Sequence, residues 1–329
     1  MEVAPGIYLL KVPIPGNSLG FINAYLIKSG NESMLIDTGW NTDESFNSLT
    51  SQLEEVGASY EGLKYIAITH THPDHYGLVG RLEEFTKAKL VIHELERSLL
   101  KPRYTQTEQV LDDMQQWLKI NGVPDASRTL LQNASMSMLG LVAVALPDLP
   151  VWGGEHLQVG DFDFEILWTP GHSPGHLCFY ERNQQLFLSG DFILPRITPN
   201  ISMHAKTIGN PLVDYMNALR QVVKLPTRLV LPSHGDPFPD LPNRAREIID
   251  HHEKRMQAIL QVFSGAPETA YQIASQIPWS RKGTQWEDLS PIDQRMAVTE
   301  TLAHLELMTA RGELMKDLTN GLVWYEAAF

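Results

Sequence analysis

Apolar positions along the first third of the chain fall into short runs that alternate with stretches at helical spacing. Ile7–Leu10, Ala24–Ile27 and Ser33–Asp37 read as strands, the last ending at the turn Thr38-Gly39. Behind that turn Phe46, Leu49, Leu53 and Val56 recur at helical spacing and stop at Gly57. Lys64–Thr69 is a nearly continuous apolar run, as a strand buried on both faces requires, and it leads directly into His70. A helix from Gly77 to Phe85 and a strand from Lys89 to His93 complete a βαβ-type pattern, so the expected fold class is α/β.

From Leu95 to Pro150 the alternation stops, and Val110, Leu111, Met114, Trp117 and Leu118 at helical spacing predict a helical insertion. Met136, Met138 and Leu139 in its second half read as helix packing first, with a flexible apolar lid over a site as the sharper alternative. Strands resume at Val159–Trp168, His176–Tyr180 and Gln185–Ser189. Beyond Pro242, Ile248, Ile249, Met256, Ile259, Leu260 and Phe263 mark a long amphipathic helix. Thr269–Ile277 reads as a short helix, and Ile292, Met296, Thr299, Leu302, Leu305 and Leu307 as a third. Strands at Gly312–Leu318 and Gly321–Tyr325 then flank Asn320-Gly321, a strong hairpin signal. Helices followed by a hairpin read as a winged-helix-like module. The expected organisation is a domain over 1–241, with the 95–150 insertion, and a module over 242–329, which suits a chain of 329 residues.

Composition narrows the classes. With 43% hydrophobic and 20% charged residues the chain can fill a packed core, which argues against disorder, and no run approaches the roughly 18 apolar residues of a membrane span. The 26 Lys+Arg against 39 Asp+Glu give a net charge of -13, which opposes capture of a phosphate backbone or an anionic membrane. The single cysteine, Cys178, excludes an intrachain disulfide and a cysteine-rich zinc module, and it reads as a small buried hydrophobe. Met1-Glu2-Val3-Ala4-Pro5 shows no secretory signal, so a cytoplasmic setting is expected.

The chemistry concentrates at Thr69-His70-Thr71-His72-Pro73-Asp74-His75, where the buried strand ends. Three imidazoles and a carboxylate in six residues are too much polarity for an apolar interior without a partner. Alternate positions His70 and His72 can point the same way from an extended segment while Asp74 and His75 reach around the turn, which suits two metal ions side by side. Three further strand ends each deliver one candidate ligand: His172 in Thr169–His176, Asp191 after Leu186–Gly190, and His234 after Leu229–Ser233.

In these residues the chain resembles the metallo-β-lactamase superfamily, whose pattern is His-x-His-x-Asp-His, then His, then Asp, then His. The likeness covers about residues 1–240 and includes Asp37-Thr38-Gly39. It implies an αββα sandwich with the site at one edge of the sheets. By the same resemblance His70, His72 and His172 hold the first metal, Asp74, His75 and His234 the second, Asp191 bridges both, and Asp37 supports the loop without being a ligand. The bridging aspartate looks like the glyoxalase II and nuclease branches, where drug-hydrolysing members often carry a cysteine, so antibiotic hydrolysis is not expected. The tail over 242–329 resembles the extension of the LACTB2-like branch.

Five neutral imidazoles and two carboxylates suit two divalent ions, zinc first, with iron or manganese also compatible. Two such ions lower the pKa of a bridging water from about 16 toward roughly 7, giving a hydroxide that attacks a carbonyl or phosphorus. Asp74 is the catalytic candidate, placed to orient that nucleophile and move its proton. The expected activity is a binuclear metal-dependent hydrolase acting on a small-molecule ester, a thioester or other acyl ester. The alternative is a phosphodiesterase or endoribonuclease acting on single-stranded RNA, but residues 242–329 hold 9 Lys+Arg against 12 Asp+Glu, the reverse of a phosphate-gripping stripe. A scaffold that has lost catalysis is opposed by the complete ligand set.

The remaining candidates are weaker. His176, close to His172, could support a ligand, whereas His93, His156, His251, His252 and His304 stand in contexts with no partner motif and read as structural or solvent-facing. Arg196, Asn200 and Lys206 are candidate anion contacts in the segment after Asp191. Trp279, Arg281, Lys282 and Trp286 form an aromatic and basic cluster that could help define the pocket. No periodic exposed apolar strip marks an oligomer interface.

Overall fold

The computed structural model describes residues 1–17, 19–279 and 283–328. The chain opens with β1 (Glu2–Ala4), β2 (Ile7–Pro13), β3 (Phe21–Ser29), β4 (Glu32–Ile36), α1 (Asp43–Glu55), β5 (Leu63–Ala67), α2 (Pro73–Tyr76), α3 (Val79–Leu82), β6 (Lys89–His93) and α4 (Glu94–Tyr104). It continues with α5 (Thr107–Ile120), α6 (Asp125–Gln132), β7 (Leu149–Val151), β8 (His156–Val159), β9 (Phe162–Trp168), β10 (Leu177–Glu181), β11 (Leu186–Gly190), α7 (Pro211–Val222) and β12 (Leu229–Pro232). The last part holds α8 (Leu241–Leu260), α9 (Ala270–Gln276), α10 (Pro291–Ala310), β13 (Leu314–Thr319) and β14 (Leu322–Ala327).

The contacts of the folded chain group these elements into two units. The first comprises 1–105, 137–199 and 221–244, and the second 106–136, 200–220 and 245–329. The cut read from the sequence at 241/242 thus stands beside a grouping in which the second unit also draws on two earlier segments, and the 95–150 insertion is shared between the units.

In the first unit, period-two alternation makes two facing sheets. One has seven strands in the order β1 to β7, and the other five in the order β12-β11-β10-β9-β8. Ile7, Leu9, Tyr25, Ile27, Met34 and Ile36 of the first meet Phe164, Ile166, Phe179, Leu186 and Leu188 of the second in one core. Residues one position along, Leu10, Val12, Ala24, Leu26 and Leu35, face the other way and pack with Leu49 and Leu53 of α1 and Leu78, Val79 and Leu82 around α3. Strands β4, β5, β6 and β7 are mutually parallel, as are β11 and β12, so the ends of β4 and β5 and of β11 and β12 lie at matching edges.

The helix expected over Gly77–Phe85 is two short turns, α2 and α3, and it starts earlier, with Pro73 at the first helical position. It breaks because Leu78 N–H donates to Gly39 O at 3.0 Å and Gly77 O accepts from Ala143 N–H at 2.8 Å. A side chain at Gly77 would lie 2.5 Å from Leu141 O, so only glycine allows that approach. The strand expected over Val159–Trp168 is divided by a turn at Gly160 into β8 and β9.

In the second unit, α6 packs on α10 and α5 on β14. Thr269 caps α9 in a reciprocal capping box with Gln272. The hairpin β13–β14 turns through Asn320 and Gly321 at φ 53° and 77°, the left-handed pair that an Asn-Gly loop provides. Arg281 and Lys282 of the expected aromatic and basic cluster lie outside the described residues. Among the described residues no helix is long and apolar enough to cross a membrane.

Candidate metal centre

Every candidate ligand stands just beyond a strand end of the first unit. β5 runs into Thr69 and His70, β9 into the turn bearing His172, β11 ends at Gly190 beside Asp191, and β12 leads to His234. The two sheets are tied together there. Asn23 N–H donates to Ser233 O at 2.8 Å, its amide to Pro232 O and Gly235 O at 2.9 and 2.7 Å, and Tyr25 Oη to Pro232 O at 2.8 Å. Leu177 N–H donates to Thr69 O at 2.8 Å.

Three imidazoles converge on one side. His70 Nε2 is 2.8 Å from His72 Nδ1, and His172 Nε2 is 3.2 and 3.1 Å from those two nitrogens. Each neutral ring has one proton to give, so three nitrogens so close cannot all be satisfied by one another. Donor atoms around one tetrahedral ion with bonds of about 2.0–2.1 Å lie roughly 3.3 Å apart, close to this spacing. Burial, reinforced by the neighbouring imidazoles, holds His70 and His72 well below the usual histidine range, which keeps their lone pairs free.

The other side mixes carboxylate with imidazole. His234 Nε2 is 3.2 Å from Asp74 Oδ2 and 3.5 Å from Asp191 Oδ1, while His75 Nε2 is 3.7 Å from Asp74 and 3.5 Å from Asp191 Oδ2. Asp191 Oδ2 is also 3.6 Å from His172 Nε2, which sets this carboxylate between the two groups. Burial works against charge on Asp74, but His75 and His234 outweigh it and bring the carboxyl down to about 2. For His75 burial works downward and is overcome by Asp37, Asp74 and Asp191, and for His234 by Asp191 and Asp74, so both rise.

Two buried atoms, His75 Nε2 and Asp191 Oδ1, have no hydrogen-bond partner. Both point among these imidazoles and carboxylates, and orphaned polar atoms at this depth need an explanation. His70, His72 and His172, then His70, His75 and Asp191, then Asp74, His75 and His234, form overlapping sets whose donor atoms lie within 4.8 Å of one another. The donor set therefore fits a divalent metal centre, and all seven residues expected as ligands are brought together.

A supporting layer fixes their orientation. Asp37, at φ 60°, accepts from His75 Nδ1 at 2.7 Å, from Thr69 N–H at 2.9 Å and from Ser233 Oγ at 3.2 Å. A carboxylate on the far nitrogen of a ligating imidazole sets its tautomer and raises its basicity. His176 Nε2 accepts the Asp191 backbone N–H at 3.2 Å, so its proton sits on Nδ1, 2.9 Å from Thr169 Oγ1. Cys178 is fully buried, donates to Ser189 O at 3.4 Å, and is pushed upward by that burial.

Sequence reasoning missed Glu96. It is buried and accepts from Thr71 N–H at 2.9 Å and Gly175 N–H at 3.0 Å, joining the segments that carry His70, His72 and His172. A glutamate in the first turn of a helix carries no signal of this, since that position is ordinarily solvated. The anion candidates have partners of their own: Arg196 lies 3.9 Å from Asp236, Asn200 donates to Glu300 at 2.6 Å, and Lys206 pairs with Asp113.

The model of the metallo-beta-lactamase superfamily matches residues 17–234. A Bacillus subtilis (strain 168) protein described as "Probable metallo-hydrolase YqjP" is 24% identical over 96% of this chain and 96% of its own length. The "Beta-lactamase-like protein 2 homolog" of Caenorhabditis elegans is 25% identical over 78% of this chain and 72% of its own length. The crystal structure of a metallo-beta-lactamase family protein from Thermus thermophilus is similar at 31% identity, with a TM-score of 0.84 over 99% of this chain and all of that one.

Proposed function

The chain belongs to the metallo-beta-lactamase superfamily and is a metallo-hydrolase, and from that premise we propose a binuclear enzyme that hydrolyses a small-molecule acyl ester, a thioester being the favoured class. The observation that carries the binuclear reading is Asp191, whose Oδ2 lies 3.6 Å from His172 Nε2 on one side and 3.5 Å from His75 Nε2 on the other. On this reading His70, His72 and His172 hold one ion, Asp74, His75 and His234 the other, and Asp191 both. Imidazole-rich donor sets favour zinc. Bound there, the ions supply an activated water at neutral pH and a charge that stabilises the developing oxyanion.

The protein's own groups do the rest. The Asp74 side chain is 20% exposed, against 12% for Asp191, so it is the carboxylate that reaches toward an incoming water. Its oxygen, ionised at neutral pH, accepts the water's hydrogen bond and aligns it for attack. Asp37 keeps the His75 ring from rotating away, and His176 holds the backbone of Asp191 in place. The choice of a small ester over a polynucleotide rests on the acidic balance of 26 Lys+Arg against 39 Asp+Glu.

Zinc-loaded enzyme assayed on acyl-thioester, lactone and single-stranded RNA panels tests this. Thioester turnover well above that of free zinc is expected, falling by about 10²–10⁴ in Asp74→Asn. Cleavage of RNA with no esters turned over, or no turnover above free zinc, would overturn the substrate class.

A further inference from the structure

Helices α8 and α10 of the second unit bring another group of donors together. His251 and His252 are neighbours on α8, and Glu300 and His304 stand one turn apart on α10. A nitrogen of His251, a nitrogen of His252 and a carboxylate oxygen of Glu300 lie within 4.8 Å of one another. His252 and His304 are fully buried and Glu300 is 8% exposed. Histidines and a carboxylate so enclosed are costly unless each polar atom has a use.

The hydrogen-bond chain fixes the protons. His304 Nδ1 lies 2.8 Å from the Glu300 carbonyl, which can only accept, so Nδ1 carries the proton and Nε2 the lone pair. That lone pair is 3.1 Å from His252 Nδ1, which must therefore be the donor. His252 Nε2 is left unprotonated, buried and without a hydrogen-bond partner. Burial, with the neighbouring imidazoles, holds His252 well below the usual histidine range, and burial brings His304 down to about 3, so both rings are neutral.

A ligating histidine ordinarily donates its other ring N–H to an acceptor that fixes tautomer and ring orientation. His252 has that arrangement: Nδ1–H is anchored on His304, and Nε2 presents a bare lone pair. Asn200 donates to Glu300 Oε2 at 2.6 Å, orienting the carboxylate in the same way. Two imidazoles with one carboxylate select a transition ion of the zinc and nickel kind over magnesium or calcium, whose preferred donors are all oxygen. Arg255, whose charge reaches Glu300 and both buried rings, works against a cation there.

We propose that His251, His252 and Glu300 form a structural transition-metal site, separate from the hydrolytic centre, that ties α8 to α10, with His304 as the positioning residue for His252. The test uses the full chain. Wild type, His251→Ala and His252→Gln are dialysed to equilibrium against zinc, with a magnesium arm, and bound metal is counted per chain. Each variant should hold one zinc fewer than wild type with thioester turnover within about twofold, and magnesium should show no difference. A zinc-edge anomalous peak should appear among the three side chains in wild-type crystals. The partly exposed position of His251 keeps its variant informative if the fully buried His252→Gln does not fold. Equal zinc counts in wild type and His251→Ala, or no anomalous peak, would overturn the site.

Discussion

Glu96 brings a carboxylate into the interior where two ligand-bearing loops meet. Its Oε2 accepts from the Thr71 N–H at 2.9 Å and hydroxyl at 2.5 Å, and its Oε1 from the Gly175 N–H at 3.0 Å. Burial pushes its carboxyl up, but Arg103 and the Thr71 and Gly175 donors outweigh that and hold it below 4.5. Glu96→Gln puts an amide NH₂ where a donor already points, and an unsatisfied buried donor costs about 1–3 kcal/mol. The variant should melt lower and hold less metal. The sign with pH follows from a folded pKa below the unfolded one: the carboxylate's contribution is present above about 4.5 and is lost as pH falls through the folded value. Melting tracked downward from pH 6 should therefore show a shallower acid limb in Glu96→Gln, and an unchanged limb would remove Glu96 from this role. The seven candidate ligands were legible because imidazoles and carboxylates at the ends of apolar strands have few other uses. Glu96 was not, because its function depends on backbone donors that no sequence pattern displays.

The backbone at a strand's end matters as much as the ligand beyond it. β11 closes at Gly190 with φ 52°, and a Cβ there would lie 2.7 Å from His176 Nε2 and 2.9 Å from Thr69 Cβ. Gly190 is thus what lets the chain pass close to His176 and Thr69 as it enters Asp191. Gly312 has φ 74° with nothing within 4 Å of such a Cβ, so Gly312→Ala carries the backbone strain without the collision. Gly190→Ala should cost tenfold or more in turnover and lower the metal count, while Gly312→Ala should lose only about 1 kcal/mol of stability. Matching behaviour in the two would show that the close approach does not matter. Periodicity predicted the long strands but not the short β1 and β7, the latter starting inside the segment read as a helical insertion, and it predicted the Gly77–Phe85 helix poorly, because hydrogen bonds from Leu78 to Gly39 and from Ala143 to Gly77 compete with the helix's own. Those partners are distant in sequence, and spacing alone carries no trace of them.

At the scale of the molecule, helical spacing in the 95–150 segment showed that its helices bury one face but not against what. Within the second unit the structure supplies partners from far along the chain. Tyr271 N–H donates to Asn121 O at 3.1 Å, Met203 N–H to Thr299 O at 2.9 Å, Asn210 Nδ2 to Ala303 O at 2.9 Å, and Arg295 Nη1 to Leu131 O and Gln132 O at 3.3 and 3.2 Å. Trp117 Nε1 donates to Met203 O at 3.2 Å, so α5 is drawn into the same group. A chain ending at residue 241 keeps 106–136 and 200–220 but loses every one of those partners beyond 241. It also uncovers the faces of α6 and α5 that pack on α10 and β14. Since about 1 kcal/mol moves the Tm of a chain this size by roughly 2–4 °C, the loss should lower Tm by more than about 10 °C or leave little soluble protein. Zinc retained at the hydrolytic centre of whatever soluble fraction remains would separate this loss from damage to the centre itself, because all seven candidate ligands lie before the cut. A soluble 1–241 chain with the Tm of the full protein would instead establish an autonomous domain, and would mean that 106–136 and 200–220 hold their fold without the segment they pack against.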